Sequence, residues 1–313
     1  MIVARSLAEA AAFAPCALTI GNFDGVHAGH RRLLCAMLEE ARERGLHPVA
    51  LTFDPHPLAV VAPARMPRLL TSVEERCQII AGLGIERMLL LPFTPEVARL
   101  SPEQFAAHLK DPLGAAVVVV GENFRFGHKH AGHADTLSRI GAQLGFETRV
   151  LPGVHLRGRL VSSSEIRASI DAGAVSLAAR LLDRPHALTG EVVKGHGIGS
   201  KQTVPTLNLR TQAQVIPRPG VYITRTTDAE DRRAWNSITN IGHRPTFGGD
   251  AALSIETFLL EPLTGDTPAR IRLDLLRRVR EERKFEDPAA LKSQILHDAA
   301  RAQAYFRRLA RWT

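Results

Sequence analysis

Hydrophobic positions in the first half of the chain fall in short unbroken runs, at 17–20, 49–53, 88–91, 117–120 and near 148–151. Each run has strand length, and helical stretches with recognisable starts lie between them. Ser72-Val73-Glu74-Glu75 and Ser101-Pro102-Glu103-Gln104 both read as capping boxes, the second with proline at the first helical position. Unbroken apolar strands alternating with helices predict a parallel sheet covered on both faces. Ligands of such a sheet bind outside the carboxyl ends of its strands.

The texture changes after about Asp183. Segments become shorter and richer in β-branched residues, at 191–193, 221–227, 235–241, 254–260 and 270–276, divided by Gly or Pro turns with no helix between. That pattern predicts an antiparallel barrel or sandwich. A last helix is expected from Asp287-Pro288 toward Arg311, with Leu291, Ile295, Ala299, Ala302 and Phe306 along one side. The junction falls at 181–185, so the expected domains are 1–183 and 184–313.

Composition narrows the choices. At 313 residues the chain holds two cores. A net charge of +8 suits polyphosphate substrates as well as nucleic acid. The basic residues are spread out, and the cluster of Arg277, Arg278, Arg280, Arg283 and Lys284 reads as a solvated face. Cys16, Cys35 and Cys77 have neither disulfide-framework nor metal-ligand spacing, as expected of thiols in a reducing compartment. No apolar run approaches the length of a membrane span, and the first fifteen residues lack the order of a leader. The expectation is a cytoplasmic protein that binds neither membrane nor nucleic acid; its protein partners are left open.

The chemistry concentrates at strand ends. Gly21-Asn22-Phe23-Asp24-Gly25-Val26-His27-Ala28-Gly29-His30 leaves the first apolar run and enters a helix. A helix start presents unpaired N–H groups and partial positive charge, which suits phosphate. Gly21, Gly25 and Gly29 remove bulk there, and His27 and His30 can donate to phosphate oxygens. Asn123 and Arg125, in Gly121-Glu122-Asn123-Phe124-Arg125-Phe126-Gly127, follow another strand. Asn123 can donate to phosphate or ribose and Arg125 can neutralise charge. His128, His130 and His133 have no acidic or thiol ligands in register and read as a solvated loop. Ser162-Ser163-Ser164-Glu165-Ile166-Arg167 reads as an N-cap entering a helix. Beyond the junction, Gly195-His196-Gly197-Ile198-Gly199-Ser200-Lys201 could wrap phosphates with backbone N–H groups, though without Walker A spacing. Pro205-Thr206-Leu207-Asn208 reads as a turn into a strand, and Glu256 as a strand glutamate.

The Gly-x-Phe-Asp-Gly-x-His-x-Gly-His form resembles the bacterial FAD synthetases, bifunctional riboflavin kinase/FMN adenylyltransferases within the His-x-Gly-His nucleotidylyltransferases. Further matches run along the chain: Thr52-Phe53-Asp54-Pro55-His56-Pro57, Gly220-Val221-Tyr222, Asn240-Ile241-Gly242-His243-Arg244-Pro245-Thr246-Phe247, Ile255-Glu256-Thr257-Phe258 and Arg280-Glu281-Glu282-Arg283-Lys284-Phe285. The resemblance implies a Rossmann-like α/β nucleotidylyltransferase domain followed by an antiparallel β-barrel riboflavin kinase domain with a C-terminal helix. It implies riboflavin, FMN and ATP as small-molecule ligands and Mg²⁺ as cofactor. In the first domain His27, His30 and Arg167 would hold ATP phosphates. Gly21, Phe23, Asp24, Gly29, Asn123, Arg125, Ser163 and Ser164 would bind substrate and nucleotide. In the second, Thr206 and Asn208 would bind Mg²⁺, Gly197 and Lys201 phosphates, Arg280 would lie near the flavin, and Glu256 would be the general base. Glu165, Leu207, Gln202-Thr203-Val204 and Phe258 depart from the family pattern. Two rival readings are a nucleotidylyltransferase with a non-catalytic C-terminal domain and a basic nucleic-acid-binding protein. Intact Thr206, Asn208 and Glu256 weigh against the first. The small number of aromatics, two Tyr and two Trp among them, weighs against the second.

Overall fold

The computed structural model describes residues 1–193, 206–245, 251–263, 265–283, 285 and 288–311. The chain forms two compact units, Met1–Ser163 and Ser164–Thr313.

Six parallel strands build the first unit: β1 (Ile2–Ala4), β2 (Cys16–Ile20), β3 (His47–Asp54), β4 (Arg87–Pro92), β5 (Ala115–Gly121) and β6 (Glu147–Leu151). Their order across the sheet is β1-β4-β3-β2-β5-β6. The helices include α1 (Ala28–Arg44), α2 (Val73–Ala81), α3 (Pro102–Lys110) and α4 (Ala134–Leu144). Side chains of a strand alternate between faces, so an all-apolar strand serves two cores. Leu18, Ile20, Val118 and Val120 enter one core, and Ala17, Val117 and Val119 the other. Thr19 is fully buried between them, its hydroxyl donating to the Val119 carbonyl at 2.9 Å. Both expected capping boxes close, Ser72 with Glu75 and Ser101 with Gln104. The edge strand β1 goes beyond what the apolar runs indicate: three residues held parallel to β4 are too short to carry a pattern.

In this order β3 and β4 lie on one side of β2, and β5 and β6 on the other. The connections therefore diverge between β2 and β5, which opens a crevice at the carboxyl ends of those strands.

The second unit contains α5 (Ser163–Asp171), whose first residue closes the first unit, and α6 (Val175–Leu182). They precede a closed barrel of β7 (His186–Val193), β8 (Leu207–Thr211), β9 (Gly220–Asp228), β10 (Ala234–Pro245), β11 (Ala251–Leu259) and β12 (Arg270–Arg280), ordered β7-β8-β11-β10-β9-β12. Every pairing is antiparallel, and β7 with β12 closes the ring. Between barrel and sandwich, the barrel is therefore the outcome. Part of its interior is apolar, with Leu188, Tyr222, Ile241, Ile255, Leu273 and Leu275. A chain of buried hydroxyls fills another part: Thr226–Ser237–Thr224–Thr239–Thr257, each step 2.8 to 2.9 Å. The last helix, α7 (Pro288–Leu309), sets Ala299 and Ala302 against Ile223 and Ile238. Helix α6 belongs to the barrel side: Val175 joins the barrel core and Ser176 Oγ donates to the Leu276 carbonyl at 2.8 Å.

Candidate functional site

The loop between β2 and α1 leaves the sheet at Gly21, whose N–H donates to the Leu51 carbonyl at 3.1 Å. It then takes an uncommon path. Phe23, Gly25 and Val26 all have positive φ, at 47°, 80° and 40°. For a β-branched residue such as Val26 that conformation is strained and persists only where the surroundings impose it. Here they do. Phe23 and Val26 are fully buried, and Val26 N–H donates to the Phe23 carbonyl at 2.9 Å. The buried Asp24 carboxylate accepts from the Leu70 and Thr71 N–H groups at 2.8 and 3.3 Å. Gly25 N–H donates to Thr71 Oγ1 at 3.1 Å, and Ser163 Oγ donates to the Asp24 carbonyl at 2.9 Å.

The loop delivers His27 as the N-cap of α1, its Nδ1 accepting from the His30 N–H at 3.2 Å. With Nδ1 accepting, the ring proton lies on Nε2, which is therefore a donor. The His27 and His30 rings stack at 3.6 Å, and Phe23 meets His30 edge-on at 5.3 Å. Burial, then the neighbouring His27 and the Arg76 guanidinium, hold His30 well below the usual histidine range, so it is neutral at neutral pH. His30 Nδ1 is buried with no hydrogen-bond partner among the described residues. The motif glycines make room for these rings: a Cβ on Gly29 would lie 3.1 Å from His27 Cε1, and one on Gly21 3.0 Å from Phe23 Cε1.

A cavity of about 230 Å³ opens at the divergence of the sheet. Gly21, His27, Gly29, His30, Arg32 and Asn123 are among the residues that line it. Leu33, Phe124, Leu151, Val154, Leu160 and Val161 give it an apolar wall. Donors at a helix start beside an apolar wall suit a ligand with phosphate at one end and a ring at the other.

In the second unit the polar residues form a row across strands. Asn208 on β8 stands opposite Glu256 on β11, which stands opposite Asn240 on β10. All three are half-buried, and their chain neighbours Leu207, Ile241, Ile255 and Thr257 point into the barrel. Ser254 Oγ donates to Glu256 Oε1 at 2.8 Å. Thr206 is exposed just ahead of β8. Arg280 is bound within the unit: Nε and Nη2 meet the buried Asp298 carboxylate at 2.9 and 2.8 Å, and Nη1 donates to the Glu281 carbonyl at 2.9 Å.

Comparison with known proteins fits this division. Residues 9–165 match the FAD synthetase family model, and residues 182–306 match the riboflavin kinase model. A bifunctional riboflavin kinase/FMN adenylyltransferase of Pseudomonas fluorescens is 35% identical over 92% of each chain. One of Escherichia coli K12 is 33% identical over 93% of each. The chain belongs to this bifunctional family. A crystal structure from Streptococcus pneumoniae described as a macrolide-efflux protein superposes with a TM-score of 0.85 at 25% identity, covering 96% of this chain and 98% of that one. Among the described residues no helix is long and apolar enough to cross a membrane.

The first unit thus brings Gly21, Phe23, Asp24, His27, Gly29, His30, Asn123 and Ser163 around one loop and cavity. Arg125 is not among the cavity residues; its Nη1 turns back to the Phe124 carbonyl at 3.0 Å. Ser164 and Arg167 lie on α5, in the second unit. Gly197 and Lys201 fall outside the described residues, as do Gln202-Thr203-Val204, Thr246-Phe247 and Lys284. Phe126 is buried in the core and Phe124 stacks on it at 5.4 Å while facing the cavity. Among the described residues no group of three His, Cys, Asp or Glu is placed to hold a metal. Cys16 is buried, and burial pushes its thiol up to about 12. Two anchors carry no local signal in the sequence: Thr71, and Arg76, a guanidinium only 2% exposed whose Nη1 meets the Thr52 hydroxyl at 3.4 Å. Both act on a loop about fifty positions away.

Proposed function

We infer that the two reactions of the family divide between the two sites and run in sequence, riboflavin to FMN in the barrel and FMN to FAD in the α/β unit. In the first step Glu256 accepts the proton of the riboflavin 5′-hydroxyl as that oxygen bonds to the γ-phosphorus of ATP and ADP leaves. Asn208 and Thr206 offer neutral oxygens beside Glu256. That donor set suits Mg²⁺, which is commonly held by few protein oxygens together with substrate phosphates and water. When bound there, Mg²⁺ would neutralise phosphate charge. Gly197 and Lys201 fit phosphate binding by residue type, and Arg280 supports the flavin end by fixing α7 to β12 through Asp298.

In the second step a phosphate oxygen of FMN bonds to the α-phosphorus of a further ATP, and the bond to the β-phosphate breaks to release pyrophosphate. His27 and His30 donate to the phosphates and Asn123 to phosphate or ribose, while Ser163, Ser164 and Arg167 are assigned to ATP phosphates by their match to the family motif. Catalysis here is positioning and charge stabilisation, without a covalent protein intermediate. The observation that carries the reading is the stacked His27–His30 pair at the helix start beside the sheet-divergence cavity. ATP-dependent chemistry and three free cysteines support a cytoplasmic location.

The test is to incubate the protein with riboflavin, ATP and Mg²⁺ and to separate FMN from FAD by chromatography. FMN followed by FAD is expected. FAD made from supplied FMN but not from riboflavin would leave a single-activity nucleotidylyltransferase. Salt-sensitive RNA binding without flavin turnover would favour the nucleic-acid reading.

A further inference from the structure

Glu122 follows β5 on the rim of the cavity and is exposed, yet it is pinned at both ends. Its N–H donates to the Leu151 carbonyl at 2.9 Å, and its Oε1 accepts from the Gly153 N–H at 2.8 Å. An exposed glutamate ordinarily keeps its rotamer freedom; this one has already lost much of it in the fold. Gly153 lies close under these side chains: a Cβ there would lie 2.7 Å from Leu160 Cδ1 and 3.0 Å from Glu122 Oε1. The second oxygen, Oε2, has no partner among the described residues and remains to accept from a ligand.

A carboxylate repels phosphate, so on the wall of a nucleotide cavity it belongs beside the uncharged part of the ligand. The sheet supplies the direction. The phosphate-favouring end is the start of α1, with His27, His30 and Arg32 after β2. Arg32, in the second turn of α1, makes no hydrogen bond or ion pair among the described residues and adds positive charge to that side of the cavity. The Glu122–Gly153 bond instead joins the ends of β5 and β6, one and two strands across from β2. At the usual strand spacing that displacement is roughly 5–10 Å. An ionised carboxylate only accepts hydrogen bonds. A nucleoside offers two kinds of donor, ribose hydroxyls and the exocyclic amine of the base.

We propose that Glu122 is a specificity-determining residue of the adenylyl-transfer cavity, accepting a hydrogen bond from a donor on the nucleoside half of the nucleotide. This rests on the assignment of adenylyl transfer to the first unit.

The test measures kcat/KM for FAD formation from FMN with ATP, 2′-deoxy-ATP, 3′-deoxy-ATP and purine riboside triphosphate, which lacks the amine. It compares wild type, Glu122→Ala and Glu122→Gln. In the wild type, removal of the donor that Glu122 reads should cost on the order of 10- to 100-fold. In Glu122→Ala that ratio should collapse toward one while ratios for the other analogues persist. The analogue that collapses identifies ribose or base as the source. Glu122→Gln keeps an oxygen for Gly153, so it should melt like the wild type yet lose most of the discrimination. If every analogue ratio is unchanged in both variants, Glu122 only closes the Gly153 turn and the proposal is overturned. Absence of FAD formation by the wild-type protein would overturn the reaction assignment, and this proposal with it.

Discussion

The α/β unit and the barrel hold their polar groups in place in opposite ways. In the α/β unit the groups sit on one loop whose path is unfavourable by itself, with Phe23 and Val26 at positive φ. It is held by bonds from sequence-distant segments: Leu70 and Thr71 on Asp24, and Ser163 on its carbonyl. In the barrel, Asn208, Glu256 and Asn240 stand in a row because antiparallel register places them opposite one another on three strands. The loop site depends on a few buried contacts. The strand site depends on the whole barrel keeping register, because a slip of one residue would turn each side chain to the other face.

If the sites are independent, damage to one should leave the other working. The largest separation is expected from Glu256→Gln, which keeps the shape but cannot take the hydroxyl proton. FMN formation should fall by about 10²–10⁴-fold, while FAD formation from supplied FMN survives. Thr206→Val and Asn208→Ala should lose comparable activity, partly restored by raising Mg²⁺, whereas Glu256→Gln should not respond. A magnesium titration of the three variants checks this, and near-normal turnover by Glu256→Gln would place the base elsewhere. The mirror experiment, His27→Ala or His30→Ala, should raise the barrier to FAD formation by about 2.7–4 kcal/mol and spare FMN formation. Equal loss of both activities would break the two-site assignment.

A third test concerns where the barrel's domain starts. A fragment of residues 164–313 keeps α6, with Val175 in the barrel core and Ser176 bonded to Leu276. A fragment from 185 loses both. Both fragments should fold and phosphorylate riboflavin, with the shorter one less stable by about 1–3 kcal/mol, the scale of burying one such side chain. Urea melts of the two would measure the difference, and equal midpoints would show that α6 contributes nothing.

The smallest effect separates the sites by pH. His30 is held below its usual range of about 6.5 by burial and nearby positive charge. As pH falls through that range, the unfolded chain takes up a proton that the folded unit refuses. Stability of the α/β unit should therefore decline below about pH 6.5. One such proton gives a slope of up to about 1.4 kcal/mol per pH unit. His30→Gln should flatten the slope of that unit's melt, and an unchanged slope would assign the acid sensitivity to other groups.

Much of this organisation was legible in the residues. Unbroken apolar runs announced five of the six parallel strands, and the Ser-x-x-Glu and Ser-x-x-Gln signatures located two helix starts, because strand burial and capping act over a few residues. The strand–turn–helix setting of His27 and His30 was legible for the same reason. The edge strand β1 was not, because three residues are too few to carry a pattern.

What the tertiary structure alone decided is how distant segments meet. The sheet order put Gly121–Phe124 and Leu151–Val154 beside the histidine loop, and so made a cavity from three strand ends. It brought Asp24 to the Leu70–Thr71 backbone and Arg76 under Thr52, and it closed six strands into a barrel with Asn240 beside Glu256. Local sequence records propensity, capping and period, whereas a site built from buried polar groups depends on which donors and acceptors find each other once water is excluded. That pairing is a property of the folded chain, since each partner is specified separately and neither carries a mark of the other.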